Sequence, residues 1–163
     1  FLRNRVCKPG EIGALGIPNQ RQTALLWDRP SGEPLNNAIV WQCRRTTDFC
    51  ESLRAAGHEA LIRRKSGLVL DPYFSASKFR WLLRHSKISA RALAAGHIAA
   101  GTIDSFLIWR LTAGAAHVTD ISNASRPSLM DIERGQWDQQ LLELFEVPRA
   151  ILPAIGPSSG ILG

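Results

Sequence analysis

The sequence predicts one α/β or α+β domain, and three observations carry that expectation. Short apolar runs bounded by turn formers precede Thr46, helical periodicity follows it, and no repeat or low-complexity tract divides the chain. With 163 residues, 45% of them apolar and 21% charged, the chain has the length and composition of a single globular domain.

Gly13-Ala14-Leu15-Gly16-Ile17, closed by Pro18, reads as a buried strand, and so does Thr23-Ala24-Leu25-Leu26-Trp27. The segment Asp28-Arg29-Pro30-Ser31-Gly32-Glu33-Pro34 is dense in turn formers, so Ala38-Ile39-Val40-Trp41 is expected to return as an antiparallel strand. A first helix follows, with Asp48 as cap, Glu51 three residues on, Phe49, Leu53 and Ala56 at helical spacing, and Gly57 as stop. A second runs from His58 to Lys65 and ends at Gly67, and a third enters at Ser75 or Ser77 and carries Phe79, Leu82 and Leu83. Ser89 caps a short Ala-rich helix ending at Gly96. Thr102 caps the next, whose Ile103, Phe106, Leu107 and Leu111 share one face before Gly114. Last, Asp138 caps a helix bearing Leu141, Leu142 and Phe145, with Pro148 as terminator.

Several function classes are excluded. There is no run of about 18 uncharged apolar residues, and Phe1-Leu2-Arg3-Asn4-Arg5 has no signal-like apolar stretch, so a cytoplasmic chain is expected. Its only methionine is Met130, which suggests that the chain begins inside a longer parent. Cys7, Cys43 and Cys50 are odd in number and lack Cys-x-x-Cys spacing, which predicts free thiols. The net charge of +6 is unevenly spread: residues 1–91 carry sixteen Lys or Arg against seven Asp or Glu, and residues 92–163 four against seven. The basic clusters Arg44-Arg45 and Arg63-Arg64-Lys65 have no RNA-binding aromatic motif beside them, and a solvated helical face explains them. No phosphate loop, dinucleotide fingerprint or nucleophile elbow occurs. His58, His85, His97 and His117 lack metal-ligand spacing and read as surface or helix-end residues.

Three polar-aromatic clusters remain. In Pro18-Asn19-Gln20-Arg21-Gln22-Thr23, successive polar side chains sit between two apolar runs, as at a strand end facing a cleft; a solvated turn is the other reading. Trp41 ends the run Ile39-Val40-Trp41, and Tyr73, the only tyrosine, follows a proline in Leu70-Asp71-Pro72-Tyr73-Phe74-Ser75. Either aromatic packs in the core or lays an apolar plate against a ligand.

Together with Asn37-Ala38-Ile39-Val40-Trp41-Gln42-Cys43-Arg44-Arg45-Thr46, Gly101-Thr102-Ile103-Asp104-Ser105, His117-Val118-Thr119-Asp120 and Asn123-Ala124-Ser125-Arg126, these strings resemble the glycerol kinase branch of the FGGY carbohydrate kinase family. The resemblance covers nearly the whole chain in order. It implies an incomplete N-terminal, substrate-binding lobe (1–163) of an actin-like, ribonuclease-H-like ATPase fold, with the nucleotide-binding C-terminal domain absent. It also implies a complete enzyme that phosphorylates glycerol with ATP and Mg2+, forms a homo-oligomer, and binds neither nucleic acid nor membrane. Arg21 and Gln22 would hydrogen-bond glycerol, while Trp41 and Tyr73 would flank its carbons. A three-carbon polyol has little apolar area, so convergent polar groups and a dry aromatic wall must recognise it.

Two departures from the family pattern follow. Its Arg-Glu pair is Arg21-Gln22 here, which replaces a charge-assisted hydrogen bond worth about 1.5–3 kcal/mol by a neutral one worth about 0.5–1.5. Its phosphate-handling hairpin would precede Phe1 and its base Asp would follow Gly163, so no catalytic or cofactor residue is assigned among Asp28, Asp71, Asp104 and Asp120. The isolated chain is therefore expected to be inactive, with an open sheet edge. A non-catalytic binding or assembly remnant is the alternative, and a basic nucleic-acid binder is a third reading that salt dependence would reveal.

Overall fold

Strand β1 (Ala24–Asp28) is buried on both faces, and the rest of the chain is arranged around it. The computed structural model describes residues 8–162. β1 pairs antiparallel with β2 (Ile98–Thr102) in the register Ala24↔Thr102 to Asp28↔Ile98. Alternation along β1 sends Ala24 and Leu26 into the larger core and Leu25 and Trp27 to the opposite face. The larger core also takes Ile62, Phe79, Leu82, Leu129, Leu141 and Ile151. On the other face Trp27 meets Phe106 edge-on at 5.2 Å and Trp109 at 6.0 Å.

The helices follow in order: α1 (Thr47–Ala55), α2 (Glu59–Ser66), α3 (Ser75–His85), α4 (Ala90–Ala94), α5 (Ile103–Leu111), α6 (Ile121–Ala124) and α7 (Gln139–Leu144). Short strands complete the architecture. β3 (Val118–Asp120) pairs parallel with β6 (Ala154–Gly156), and β4 (Met130–Asp131) pairs antiparallel with β5 (Gln136–Trp137).

Local chemistry explains most helix ends. Gly57 at φ 80° donates to the Arg54 carbonyl while His58 donates to that of Leu53, the two bonds of a Schellman stop. Gly96 and His97 repeat the pattern after α4. Ser89 Oγ accepts from Ala92 N at 3.0 Å, and Asp138 Oδ1 accepts from Leu141 N at 3.0 Å, so both predicted caps are present.

Several expectations need correction. Asp48 lies inside the first turn of α1, and Thr46 holds the cap position; its hydroxyl is bonded to Ser77 Oγ instead of to the helix. Neither Ser75 nor Ser77 caps α3, because the chain turns at Phe74 and Ser75 Oγ donates to the Gln22 carbonyl. The buried face of α5 is Asp104, Ser105, Ile108 and Trp109, leaving Leu107 and Leu111 exposed. Its apolar residues nearly encircle the helix, so periodicity had no clear face to select. α7 stops at Leu144, with Glu146 at φ 54°, before Pro148 is reached.

Two predicted strands do not form. Residues 13–17 form no regular element and are largely exposed, with Leu15 at 71%, because no described segment offers them a ladder. Ile39 bridges Ala24 through one reciprocal pair of hydrogen bonds, but β2 supplies the five-residue partner. Gly101 in β2 explains how α5 can start against the sheet: a Cβ there would lie 1.9 Å from Ser105 Oγ and 3.3 Å from the Trp27 ring.

Candidate functional site

Gln22 sits where the chain turns into β1, at φ 65° and only 3% exposed. This is a strained conformation for a residue with a side chain, and it is fixed from several sides. Its carbonyl accepts from Ser75 Oγ at 3.1 Å. With the amide oriented to satisfy both ends, its side-chain oxygen accepts from Arg126 Nε at 2.9 Å and its nitrogen donates to the Arg21 carbonyl at 2.7 Å.

The same Arg126 guanidinium lies 5.1 Å from the centre of the Phe74 ring. Phe74 meets Tyr73 edge-on at 5.1 Å, and Tyr73 meets Trp41 at 5.4 Å with the rings tilted by 59°. Gln22, Arg126, Phe74, Tyr73 and Trp41 are thus one continuous chain of contacts drawn from four separate stretches of sequence. Trp41 is 36% exposed and Tyr73 is partly buried, so the aromatic pair is a surface wall and not core.

The loops carrying the two aromatics are joined by polar bonds. Asp71 Oδ1 accepts from Tyr73 N at 2.7 Å and from Arg44 Nη1 at 3.0 Å, which ties the Tyr73 turn to the loop after Trp41. Arg44 is well exposed, so this ion pair locates the loops more than it stabilises the fold. Beside it, Cys43 Sγ accepts from Arg45 Nε at 2.9 Å; partial burial raises that thiol, but the Arg45 contacts outweigh it and bring the thiol below its ordinary value.

Arg21 points elsewhere. Its side chain is exposed, makes no hydrogen bond among the described residues, and borders an open cleft of about 830 Å³ with Leu15, Asn19, Asp104, Asp120 and Asn123. Gln22, Trp41 and Tyr73 do not line that cleft. The aromatic wall, with its convergent donors, is the better candidate for recognising a small polar ligand, because the cleft owes its walls to the irregular segment 13–17 and the exposed end of α5.

The carboxylates of the cleft are already engaged. Asp104 is buried and accepts from Thr102 Oγ1 and, at 2.6 Å, from Thr119 Oγ1. Asp120 caps α6; partial burial raises its carboxyl, but donors from Ser158, Ser122 and Asn123 bring it down to about 2. No three His, Cys, Asp or Glu converge among the described residues. Cys43 and Cys50 are free, as expected, while Cys7 lies outside the described residues.

His117 departs from the surface role expected of it. Arg29 Nη2 donates to its Nδ1 at 2.8 Å, its Nε2 meets the Ala100 carbonyl at 3.2 Å, and its ring lies edge-on to Trp27 at 5.1 Å. Burial first, and then the Arg29 charge, push it down to about 4.

Comparison with known proteins places the geometry. Residues 2–163 match the FGGY family of carbohydrate kinases, N-terminal domain. The chain belongs to the FGGY family of carbohydrate kinases. It is 55% identical over 162 residues to a glycerol kinase of Bdellovibrio bacteriovorus, covering 99% of this chain and 33% of that protein. To a glycerol kinase of Gluconobacter oxydans it is 55% identical over 155 residues, covering 95% of this chain and 30% of that one. A crystal structure of Plasmodium falciparum glycerol kinase with ADP superposes with a TM-score of 0.80 at 38% identity, over 86% of this chain and 28% of its own. A gluconate kinase of Lactobacillus acidophilus shares the fold, with a TM-score of 0.69 at 23% identity over 84% of this chain and 26% of its own. The chain therefore spans about a third of the length of the curated relatives it matches. It is the mixed α/β, N-terminal part of the actin-like, ribonuclease-H-like FGGY fold.

Sequence reasoning missed Arg126, Phe74 and Lys78 as parts of this site. Lys78 carried a legible signal, since it stands four residues before Leu82 and therefore on the packed face of α3. Arg126 carried none, because only the fold brings it to Gln22.

Proposed function

We propose that this chain is the substrate-binding portion of a glycerol kinase whose complete form transfers the γ-phosphoryl group of ATP, with Mg2+, to glycerol, giving glycerol 3-phosphate. The observation that carries the reading is the aromatic and guanidinium wall from Gln22 to Trp41, in a chain 55% identical to glycerol kinases. Arg21 and Gln22 hydrogen-bond the polyol hydroxyls and Trp41 and Tyr73 flank its carbons, an arrangement that requires the exposed Arg21 side chain to turn from the open cleft toward the wall. Gln22 keeps a second lone pair on its amide oxygen for that purpose. Phosphoryl transfer depends chiefly on alignment and charge stabilisation, so the role of these groups is to hold one terminal hydroxyl in place.

Nucleotide and metal are drawn from the remainder of the complete enzyme, and the chain by itself does not turn over. The same reading places the enzyme in the cytoplasm, in keeping with free Cys43 and Cys50, as a homo-oligomer that binds no nucleic acid. No described helix is long and apolar enough to cross a membrane. The test is ATP- and glycerol-dependent formation of glycerol phosphate by this chain and by the longest protein encoded around it. Activity in the longer protein, lost in its Arg21→Ala form, is expected; turnover by neither overturns the enzymatic reading.

A further inference from the structure

Lys78 is fully buried, yet no carboxylate is bonded to its ammonium group. Its place is also electrostatically unfavourable, just past the first turn of α3, where the positive end of the helix disfavours a cation. Burial draws the ammonium down to about 8; Cys43, Cys50 and Asp71 oppose that shift, and Arg44 adds to it. A methionine of similar length would fill the same space without these costs, so the charge must be doing something local.

The ammonium is bonded entirely to one turn. Its side chain runs back toward the helix N-terminus, as helical side chains do, and donates to the carbonyls of Pro72, of Tyr73 at 2.7 Å and of Phe74 at 3.2 Å. Three donors meet three consecutive acceptors, which matches the full capacity of an ammonium group. Of those residues, Tyr73 sets its ring against that of Trp41 at a tilt and Phe74 takes the Arg126 guanidinium. We propose that Lys78 is a positioning residue that sets the Pro72-Tyr73-Phe74 turn, and with it the aromatic wall that receives the polyol. The polyol clause rests on the function proposed above, whereas the positioning of Tyr73 does not.

Tyr73 is the only tyrosine in the chain, so biosynthetic fluorotyrosine places a single fluorine signal on the wall. The signal is compared in the unsubstituted chain, Lys78→Met and Lys78→Arg, with the backbone amides of Ala24–Asp28 as reporters of the core. Displacement and broadening of the Tyr73 signal in Lys78→Met, with β1 amides unmoved and partial recovery in Lys78→Arg, is expected. Glycerol should then bind about tenfold more weakly to Lys78→Met. An unchanged Tyr73 signal in a folded Lys78→Met chain overturns the proposal. If that variant does not fold, Lys78→Gln, which keeps two amide donors, replaces it and is judged by the same signal. A folded chain that binds no glycerol at all defeats the functional reading instead, and the fluorine signal alone then decides the role of Lys78.

Discussion

Two apolar runs close together in the chain, Gly13–Ile17 and Ala24–Trp27, have similar composition and opposite fates. The second is the central strand β1, with both faces buried and β2 hydrogen-bonded along it. The first forms no regular element, has no ladder partner among the described residues and is largely exposed. Apolar composition marks a segment able to be a strand; a ladder partner and helices on its faces make it one. Gln22, at one end of the aromatic wall, lies at the boundary between the two, where the chain turns from exposed segment to buried strand.

Truncating one leucine in each run breaks this comparison most directly. Leu26→Ala in the fully buried strand should cost about 2–5 kcal/mol, whereas Leu15→Ala should change stability by no more than about 0.5 kcal/mol. Urea unfolding of both variants checks the pair, and equal losses would show that the first run is packed after all.

His117 gives the next largest effect. Its folded value, near 4, lies below the ordinary 6.5, so the unfolded chain binds the proton more tightly. The stability it contributes is complete above about pH 6.5 and falls as the pH drops toward 4, by up to about 3 kcal/mol. Unfolding followed from pH 7 to pH 4 should show that slope, and a His117→Asn variant should flatten it.

Gly101→Ala probes the approach of α5 to β2. The added Cβ cannot coexist with Ser105 Oγ at 1.9 Å, and the forced shift should cost about 1–3 kcal/mol. Pairing it with Gly101→Ala/Ser105→Gly, which removes the clashing hydroxymethyl, should recover part of the lost melting temperature.

The smallest expected change is at the boundary itself. Gln22→Glu would turn the hydrogen bond from the Arg126 guanidinium, already charged on the donor side, into an ion pair, and would remove the amide donor to the Arg21 carbonyl, so little net change in stability is expected. Glycerol should bind several-fold more tightly by calorimetry, and unchanged affinity would count against Gln22 as a ligand.

The periodic helices, the Gly57, Gly67 and Gly96 stops and the Ser89 and Asp138 caps were legible, because each depends on residues within a few positions of one another, whereas Ala24–Trp27 was legible only as a run able to be a strand. The proposed ligand residues Arg21, Gln22, Trp41 and Tyr73 stood out in the sequence as separate clusters, and the contacts that join Gln22 to Tyr73 and Trp41 run through Arg126 and Phe74. Strand β2 was hidden: Ile98-Ala99-Ala100-Gly101-Thr102 has the small residues of a helix or loop, and these are small because Trp27 and α5 press against them.

Taken alone, the sequence determined the family, the α/β character, the Ser89 and Asp138 caps, the glycine stops, and the free thiols at Cys43 and Cys50. Tertiary structure decided which apolar run became a strand, which face of α5 was buried, why Lys78 lies inside, and how Arg126 reaches Gln22. Short-range features follow from local backbone chemistry, whereas the pairing of β1 with β2 and the bond from Arg126 to Gln22 depend on partners far away in the chain.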